Sequence, residues 1–219
     1  IEKIKNKEIH GINVTVPFKQ TVIPFLETLS DTATKTNSVN TIFIKNEKIH
    51  GDNTDVYGFE KSILNNKINL ENKSALIIGA GGVVSSIILA LITLKIKKIY
   101  ISNRTIEKAH LIKDKFNSIE VVEWGNIKNC DLLINSTSVG LKTGDHLGLN
   151  FNDLKGSKIF YDVIYNPVKT NFLLEAEKNG HTIINGRDMF LYQAQKAFNL
   201  WQNFTPKVDK KLINYLYND

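Results

Sequence analysis

The stretch from residue 73 to residue 105 constrains the fold more than any other part of the chain. It opens with a short apolar run at 75–78, passes through a glycine-rich turn, and then stays apolar from 83 to 94. Four consecutive apolar residues are typical of a strand buried on both faces, and the longer run suits a buried helix. A second short run at 98–102 completes a strand–helix–strand unit of the usual length.

The turn between the first strand and the helix indicates a dinucleotide site. Gly79 permits a tight turn, Gly81 has no Cβ to hold off a pyrophosphate, and the free N–H groups at the helix start would face that phosphate. The third glycine of the usual G-x-G-x-x-G pattern is Val84 here, so an ordinary strand-to-helix turn is the alternative. The position between a predicted strand and a predicted helix favours the dinucleotide.

The residues after the second strand predict which dinucleotide is bound. An NAD site usually has Asp or Glu there, whereas this chain has Asn103, Arg104 and Thr105, with Lys108 one helical turn later. A carboxylate would repel a 2′-phosphate, but a guanidinium can bind it through two hydrogen bonds. We therefore expect NADP, the alternative being that Arg104 is a solvated surface residue.

Composition excludes several classes of protein. The 219 residues suffice for one large or two small domains, and the net charge of +6 comes from scattered lysines, so we expect no nucleic-acid partner. No apolar segment reaches 18 residues, so we expect no membrane partner. The single cysteine, Cys130, excludes an internal disulfide and is typical of a reducing compartment, which predicts a cytoplasmic protein. We expect no metal.

The order of predicted elements indicates an α/β protein with two domains. A smaller α/β unit at 1–66 has predicted strands at 12–16, 40–44 and 48–50 and predicted helices at 21–29 and 56–64. The segment 65–73 is polar and is the candidate linker. From 67 to 187 strands and helices alternate, which is typical of a doubly wound parallel sheet, and two helices follow in 188–219.

The reactive side chains lie in the first unit. Lys19 follows a strand and Pro17, and Asp55 ends the polar loop 51–55. A lysine and an aspartate that face each other in a cleft can handle a proton at a carbonyl or alcohol oxygen. The alternative is that Lys19 is a surface residue and Asp55 caps a helix, and spacing alone favours that alternative.

Eight short motifs occur along the chain in a fixed order. They are NVTVPFK at 13–19, SVNT at 38–41, GDNTD at 51–55, GAGG at 79–82, NRT at 103–105, NSTSVG at 135–140, YDVIYNP at 161–167 and the segment 186–201. Single motifs of this kind are weak evidence, but together and in this order they are specific. Over nearly its whole length the sequence resembles the shikimate dehydrogenase family.

The resemblance implies a fold and a reaction. The fold is a doubly wound (Rossmann) NADP domain with a smaller α/β substrate domain, and 188–219 packs back toward the substrate domain. The reaction is the reduction of 3-dehydroshikimate by NADPH, a step of aromatic amino acid and chorismate biosynthesis. By matching motif positions, Lys19 is the expected acid/base residue and Asp55 its partner on the substrate hydroxyls. The other residues expected at the substrate are Thr15, Asn40, Tyr165 and Gln193.

The resemblance also implies the cofactor contacts. The pyrophosphate would lie against Gly79, Ala80, Gly81, Gly82 and Val83. The adenosine ribose and its 2′-phosphate would lie against Asn103, Arg104, Thr105 and Lys108, and the nicotinamide half against Thr137, Val163 and Gly186. For Gln193 the alternative is a structural role, because its helical neighbours Phe190, Ala194, Ala197 and Phe198 are apolar and are expected in a core.

One departure from the family bears on the substrate domain. The family has a Ser-x-Ser motif for the substrate carboxylate before the stretch equivalent to Ile12, and 1–11 contains none. We therefore expect an N-terminally incomplete substrate domain, with near-normal NADP binding, weak shikimate turnover and a tendency to self-associate. Two functional alternatives stay open, a quinate/shikimate dehydrogenase of broader specificity and a ligand-sensing relative without turnover. The expected assembly is a monomer or homodimer.

Overall fold

The computed structural model describes residues 1–142 and 144–217, which form two compact units. One unit consists of Ile1–Asn66 together with the chain from Asp188 onward, and the other is Lys67–Arg187. Both units combine helices with strands, as the sequence predicts.

The first unit is built on a mixed sheet. Its elements are α1 (Glu2–Lys5), β1 (Gly11–Asn13), α2 (Phe18–Thr21), a 3-10 turn (Ile23–Phe25), β2 (Thr28–Leu29), α3 (Asp31–Thr36), β3 (Thr41–Lys45), β4 (Lys48–Asp52) and α4 (Asp55–Asn65). Within the described residues four strands pair in the order β1-β3-β4-β2. The β3–β4 hairpin is antiparallel, and β2 runs parallel to β4. Apolar side chains form the core on this sheet, namely Ile4, Ala33, Val39, Ile42 and Ile49.

The predicted helix at 21–29 is wrong. The chain there forms the end of α2, the 3-10 turn Ile23–Phe25 and the strand Thr28–Leu29. Pro24 explains the difference, because a proline lacks the N–H that a continuing α-helix requires and clashes with the preceding turn. Proline is accepted at the first positions of the short 3-10 turn, which is where it lies.

The second unit is the doubly wound parallel sheet that the sequence predicts. Its elements are β5 (Ser74–Ile78), α5 (Val84–Thr93), β6 (Lys98–Ser102), α6 (Ile106–Lys113), β7 (Ile119–Val122), β8 (Leu132–Asn135), β9 (Ile159–Asp162), α7 (Asn171–Lys178) and β10 (Thr182–Ile184). Within the described residues, the six strands of this unit are parallel and pair in the order β10-β9-β8-β5-β6-β7. The strand order reverses between β5 and β8, and ligands of such sheets bind at the carboxyl ends of the strands beside that reversal.

Two helices complete the first unit, α8 (Arg187–Gln202) and α9 (Lys210–Tyr217). Helix α8 packs closely on α4, since a Cβ added to Gly58 would lie 2.5 Å from the carbonyl oxygen of Met189. At its other end the indole N–H of Trp201 donates to the hydroxyl of Thr41 at 2.8 Å. Among the described residues, no helix combines the length and the apolar character that crossing a membrane requires.

Candidate functional site

Lys19 and Asp55 form a close ion pair in the first unit. The distance from Lys19 Nζ to Asp55 Oδ2 is 2.6 Å, and the two side chains are 13% and 8% exposed. Asp55 is the first residue of α4, after the N-cap residue Thr54, so it is not itself the cap. The alternative of a surface lysine and a capping aspartate therefore does not describe this arrangement.

Asn40 extends the pair into a hydrogen-bonded cluster. Its Nδ2 lies 2.9 Å from Asp55 Oδ1 and 2.9 Å from Thr54 Oγ1, while its Oδ1 accepts the N–H of Thr54 at 2.8 Å. Gln193 Oε1 is 3.4 Å from the same Nδ2. Four predicted site residues thus lie together in one unit, although they are far apart in sequence.

Gln193 faces this cluster because of its position on α8. It is four residues after Met189 and four before Ala197, both buried, and such spacing puts all three on one helix face. Phe190 and Phe198 are 37% and 41% exposed, so their expected place in the core is wrong. Each follows a buried residue directly, about 100° further round the helix.

Thr15 and Tyr165 are exposed loop residues, one in each unit. The side chain of Thr15 is exposed, and its carbonyl accepts the N–H of Phe18 at the start of α2. Tyr165 belongs to the other unit, on the loop that follows β9, and is 42% exposed. Their proposed contacts with substrate stay predictions.

The glycine turn has the shape that a pyrophosphate requires. Gly79 has a φ of +113°, and a Cβ added to it would lie 2.7 Å from Ser136 Oγ. Around Gly81 there is open space, since the nearest atom to an added Cβ is the Ser136 carbonyl oxygen at 3.8 Å. Helix α5 begins at Val84, directly after this turn, and Gly81 and Gly82 in the turn are exposed, so an anion could approach the start of the helix there. These residues fit a dinucleotide.

The predicted 2′-phosphate residues follow β6. Arg104, Thr105 and Lys108 are exposed, and Asn103 Nδ2 donates to the carbonyl of Thr105 at 2.7 Å. The bend that they form places no carboxylate at the end of the strand, since residues 103–106 carry none. The local charge therefore suits a phosphate.

The residues predicted at the nicotinamide meet around a pair that the sequence analysis missed, Asn135 and Asp162. The Thr137 hydroxyl donates to Asn135 Oδ1 at 2.7 Å, and the N–H of Val163 donates to the Asn135 carbonyl at 3.0 Å. Gly186 lies so close to the Val163 carbonyl that a side chain there would overlap it. Asn135 and Asp162 lie in the quoted motifs NSTSVG and YDVIYNP, and that was the signal available.

Asp162 is fully buried at the carboxyl end of β9. Its Oδ2 accepts the Thr170 hydroxyl at 2.6 Å, its Oδ1 accepts the Ile164 N–H at 3.0 Å, and Asn135 Nδ2 lies within 3.2 Å of both oxygens. Burial raises the pKa of this carboxyl to about 6, although the hydrogen bonds act in the opposite direction.

Across the described residues, no group of three or more His, Cys, Asp and Glu side chains could hold a metal ion. The first unit gathers an ion pair with amide side chains, and the second unit has an exposed glycine turn and, after β6, exposed cations. Such groups suit a hydroxylated substrate and a phosphorylated cofactor.

Two family models match the chain. One is described as "Shikimate dehydrogenase substrate binding domain" and matches residues 1–42, and the other as "Shikimate / quinate 5-dehydrogenase" and matches residues 61–142. Together they cover more than half of the chain.

Individual proteins match over nearly the whole chain. A protein of Pelagibacter ubique named shikimate dehydrogenase (NADP(+)) is 51% identical over 216 residues, which are 99% of this chain and 82% of that protein. The crystal structure of shikimate dehydrogenase from Aquifex aeolicus has 36% identity and a TM-score of 0.89, covering 100% of this chain and 80% of that one. The enzyme from Thermus thermophilus, solved in complex with NADP(H) and shikimate, has 28% identity and a TM-score of 0.85, covering 94% and 78%.

Proposed function

The chain belongs to the shikimate dehydrogenase family, and we propose that it reduces 3-dehydroshikimate to shikimate with NADPH. The Lys19–Asp55 pair, largely buried and with a 2.6 Å separation and amide neighbours, is the observation that carries this proposal. Family membership supplies the substrate and the cofactor, and the pair supplies a proton donor of the kind that the reaction needs.

The chemistry follows from the residues. NADPH, when bound, supplies the hydride that reaches the carbonyl carbon. As that bond forms, the C=O π electrons move to the oxygen, which takes a proton from the ammonium of Lys19. Asp55 holds the lysine in place through the ion pair and accepts a hydrogen bond from a substrate hydroxyl. In the reverse direction the neutral lysine removes the proton from the alcohol.

The amide and hydroxyl side chains orient the ring. Asn40 and Gln193 each carry a donor and an acceptor, which is what a ring with several hydroxyl groups requires. Thr15 and Tyr165 are proposed as further contacts from the motif positions that they occupy. Asn40 is 3% exposed and already bonded to Asp55 and Thr54, so its geometry is fixed before substrate arrives.

The second unit is proposed as the NADP domain. Gly79, Ala80, Gly81, Gly82 and Val83 would hold the pyrophosphate. Asn103, Arg104, Thr105 and Lys108 would hold the ribose with its 2′-phosphate, and Thr137, Val163 and Gly186 the nicotinamide half. The buried single cysteine, Cys130, supports a reducing compartment such as the cytoplasm. The assembly is proposed to be a monomer or a homodimer.

The test is NADPH oxidation by the purified protein, followed in parallel with 3-dehydroshikimate and with 3-dehydroquinate. We expect turnover with 3-dehydroshikimate and a kcat/KM at least about tenfold lower with 3-dehydroquinate, because a site that pairs each hydroxyl discriminates against a substrate with an extra one. Equal kcat/KM values would favour the broader quinate/shikimate activity. Tight binding of shikimate without turnover would favour the ligand-sensing alternative.

A further inference from the structure

Asn53 lies between β4 and α4 and has no role so far. It is 3% exposed, and its amide makes contacts in two directions. Its Oδ1 accepts the backbone N–H of Asp55 at 3.0 Å, and its Nδ2 donates to the backbone carbonyl of Ser38 and to the hydroxyl of Thr36, both at 3.0 Å. One side chain therefore joins the loop that carries Asp55 to the segment at 36–38.

The segment that Asn53 holds also fixes the backbone of Lys19. The N–H of Val39, the residue after Ser38, donates to the carbonyl of Lys19 at 2.8 Å. The next residue, Asn40, bonds the Asp55 carboxylate directly. Asn53 is thus connected to Asp55 by one hydrogen bond and to the Lys19 backbone through the single residue Val39.

Asparagine is well suited to this position. An amide donates and accepts at once, so it can pair a buried carbonyl on one side and a buried N–H on the other. Aspartate would keep the acceptor for Asp55 but place an oxygen against the Ser38 carbonyl. Alanine would remove the acceptor of the Asp55 N–H and one donor to the Ser38 carbonyl, which also accepts the Thr36 hydroxyl at 3.3 Å. Either change would remove the bond from residue 53 to the Ser38 carbonyl, so the 38–40 segment would be held to the loop at 53–55 by the bonds of Asn40 to Thr54 and Asp55.

We propose that Asn53 is a positioning residue for the Lys19–Asp55 pair. It sets the distance between the two backbones from which these side chains extend, so it keeps the ammonium and the carboxylate at 2.6 Å. The proposal rests on the proposed function, because the value of that distance lies in delivering a proton to a substrate oxygen. Asn53 itself touches no reacting atom.

The kinetic test uses Asn53→Ala and Asn53→Asp with Thr36→Val as the matched control. Thr36→Val removes one partner of Asn53 but leaves its bonds to Ser38 and Asp55 intact. We expect both Asn53 variants to lose about 10- to 100-fold in kcat, because displacement of a reacting group by about 1 Å costs up to about 10²-fold. The KM for NADPH should stay within about twofold, and Thr36→Val should keep kcat while unfolding at lower temperature.

A second measurement does not depend on turnover. Lys19 in the folded protein is acylated with an amine-reactive ester, and the modified site is quantified by peptide mass spectrometry. An ion-paired ammonium that is only 13% exposed is protected, so we expect Lys19 to react faster in both Asn53 variants and at the wild-type rate in Thr36→Val. Reaction of the exposed Lys108 on the same samples corrects for reagent activity.

The outcomes separate this proposal from the proposed function. Wild-type kcat together with wild-type Lys19 labelling in Asn53→Asp and Asn53→Ala would overturn the positioning role. A loss of kcat with unchanged labelling would overturn it as well, because Asn53 would then act elsewhere. Wild-type kcat in Lys19→Ala would instead refute the proposed function, and the labelling experiment would still decide the role of Asn53.

Discussion

The buried carboxyl group of Asp162 should make the free energy of unfolding of the second unit depend on pH. Burial raises its pKa from 3.8 to about 6, so the folded protein holds the proton more tightly than the unfolded chain does. The stability from this proton is fully present below pH 3.8 and is lost as pH rises through about 6. The difference between the two pKa values corresponds to about 3 kcal/mol in total.

The perturbation is Asp162→Asn, which has no proton to lose. The free energy of unfolding of the wild type, minus that of the variant, should therefore fall as pH rises. About half of the total, roughly 1.4 kcal/mol, lies between about pH 5 and pH 8, because the unfolded carboxyl is already almost fully ionised at pH 5. The offset between the two proteins carries no information, since the new amide also meets the amide of Asn135.

Urea unfolding, followed by tryptophan fluorescence, measures this difference in the free energy of unfolding for the second unit. The chain has two tryptophans, and Trp124 packs against the core that contains Phe160 in the second unit. Replacing Trp201, which belongs to the first unit, by Phe leaves Trp124 as the reporter. Asp145→Asn is the control, because hydrogen bonds from the backbone N–H groups of Gly140 and Lys142 lower the pKa of Asp145. The stability from that carboxylate is lost only as pH falls below the unfolded value of 3.8, so its wild-type-minus-variant difference should stay nearly flat between about pH 5 and 8. A wild-type-minus-variant difference for Asp162 that stays flat or rises between about pH 5 and 8 would refute the reasoning.

Two further predictions concern the cofactor. Arg104→Ala should reduce the preference for NADPH over NADH by about one to two powers of ten, because a charge-assisted hydrogen bond to the 2′-phosphate is worth about 1.5–3 kcal/mol. Equal kcat/KM values for NADPH and NADH in the wild type would contradict this prediction. Gly79→Ala should weaken NADP binding in calorimetry and lower the free energy of unfolding by about 1–3 kcal/mol, because φ is +113° and Ser136 Oγ would be 2.7 Å away. Gly156→Ala, also at positive φ but with no atom within 4 Å of an added Cβ, should cost less and leave binding unchanged.

Local patterns predicted much of the second unit. The strands β5 and β6 were predicted at nearly their observed bounds, because each is a short apolar run beside polar or glycine-containing turns. The parallel order follows from the alternation of strands with helices. The structure of residues 21–29 was harder to predict. The spacing of their apolar residues indicates a helix, but Pro24 prevents a continuous helix and a 3-10 turn forms instead.

The site was less accessible to pattern analysis because its contacts are long-range. Lys19 and Asp55 are 36 residues apart, and spacing alone favoured two unrelated surface residues. Only the resemblance paired them. Asn53 and Asp162 had no assigned role, because their importance lies in hydrogen bonds to backbone groups that only the tertiary fold brings near. The exposure of Phe190 and Phe198 likewise depends on which face of α8 packs against α4.

The central claim is that Lys19 delivers the proton to the reduced oxygen, and its most direct test is the kcat of Lys19→Ala for NADPH oxidation with 3-dehydroshikimate, with and without added methylamine. General acid catalysis contributes about 10²–10⁴ in rate, so we expect a loss of that size with nearly unchanged NADPH affinity. Methylamine, whose ammonium form can enter the space that the side chain leaves, should restore part of the rate in proportion to its concentration. A wild-type kcat in Lys19→Ala would contradict the account.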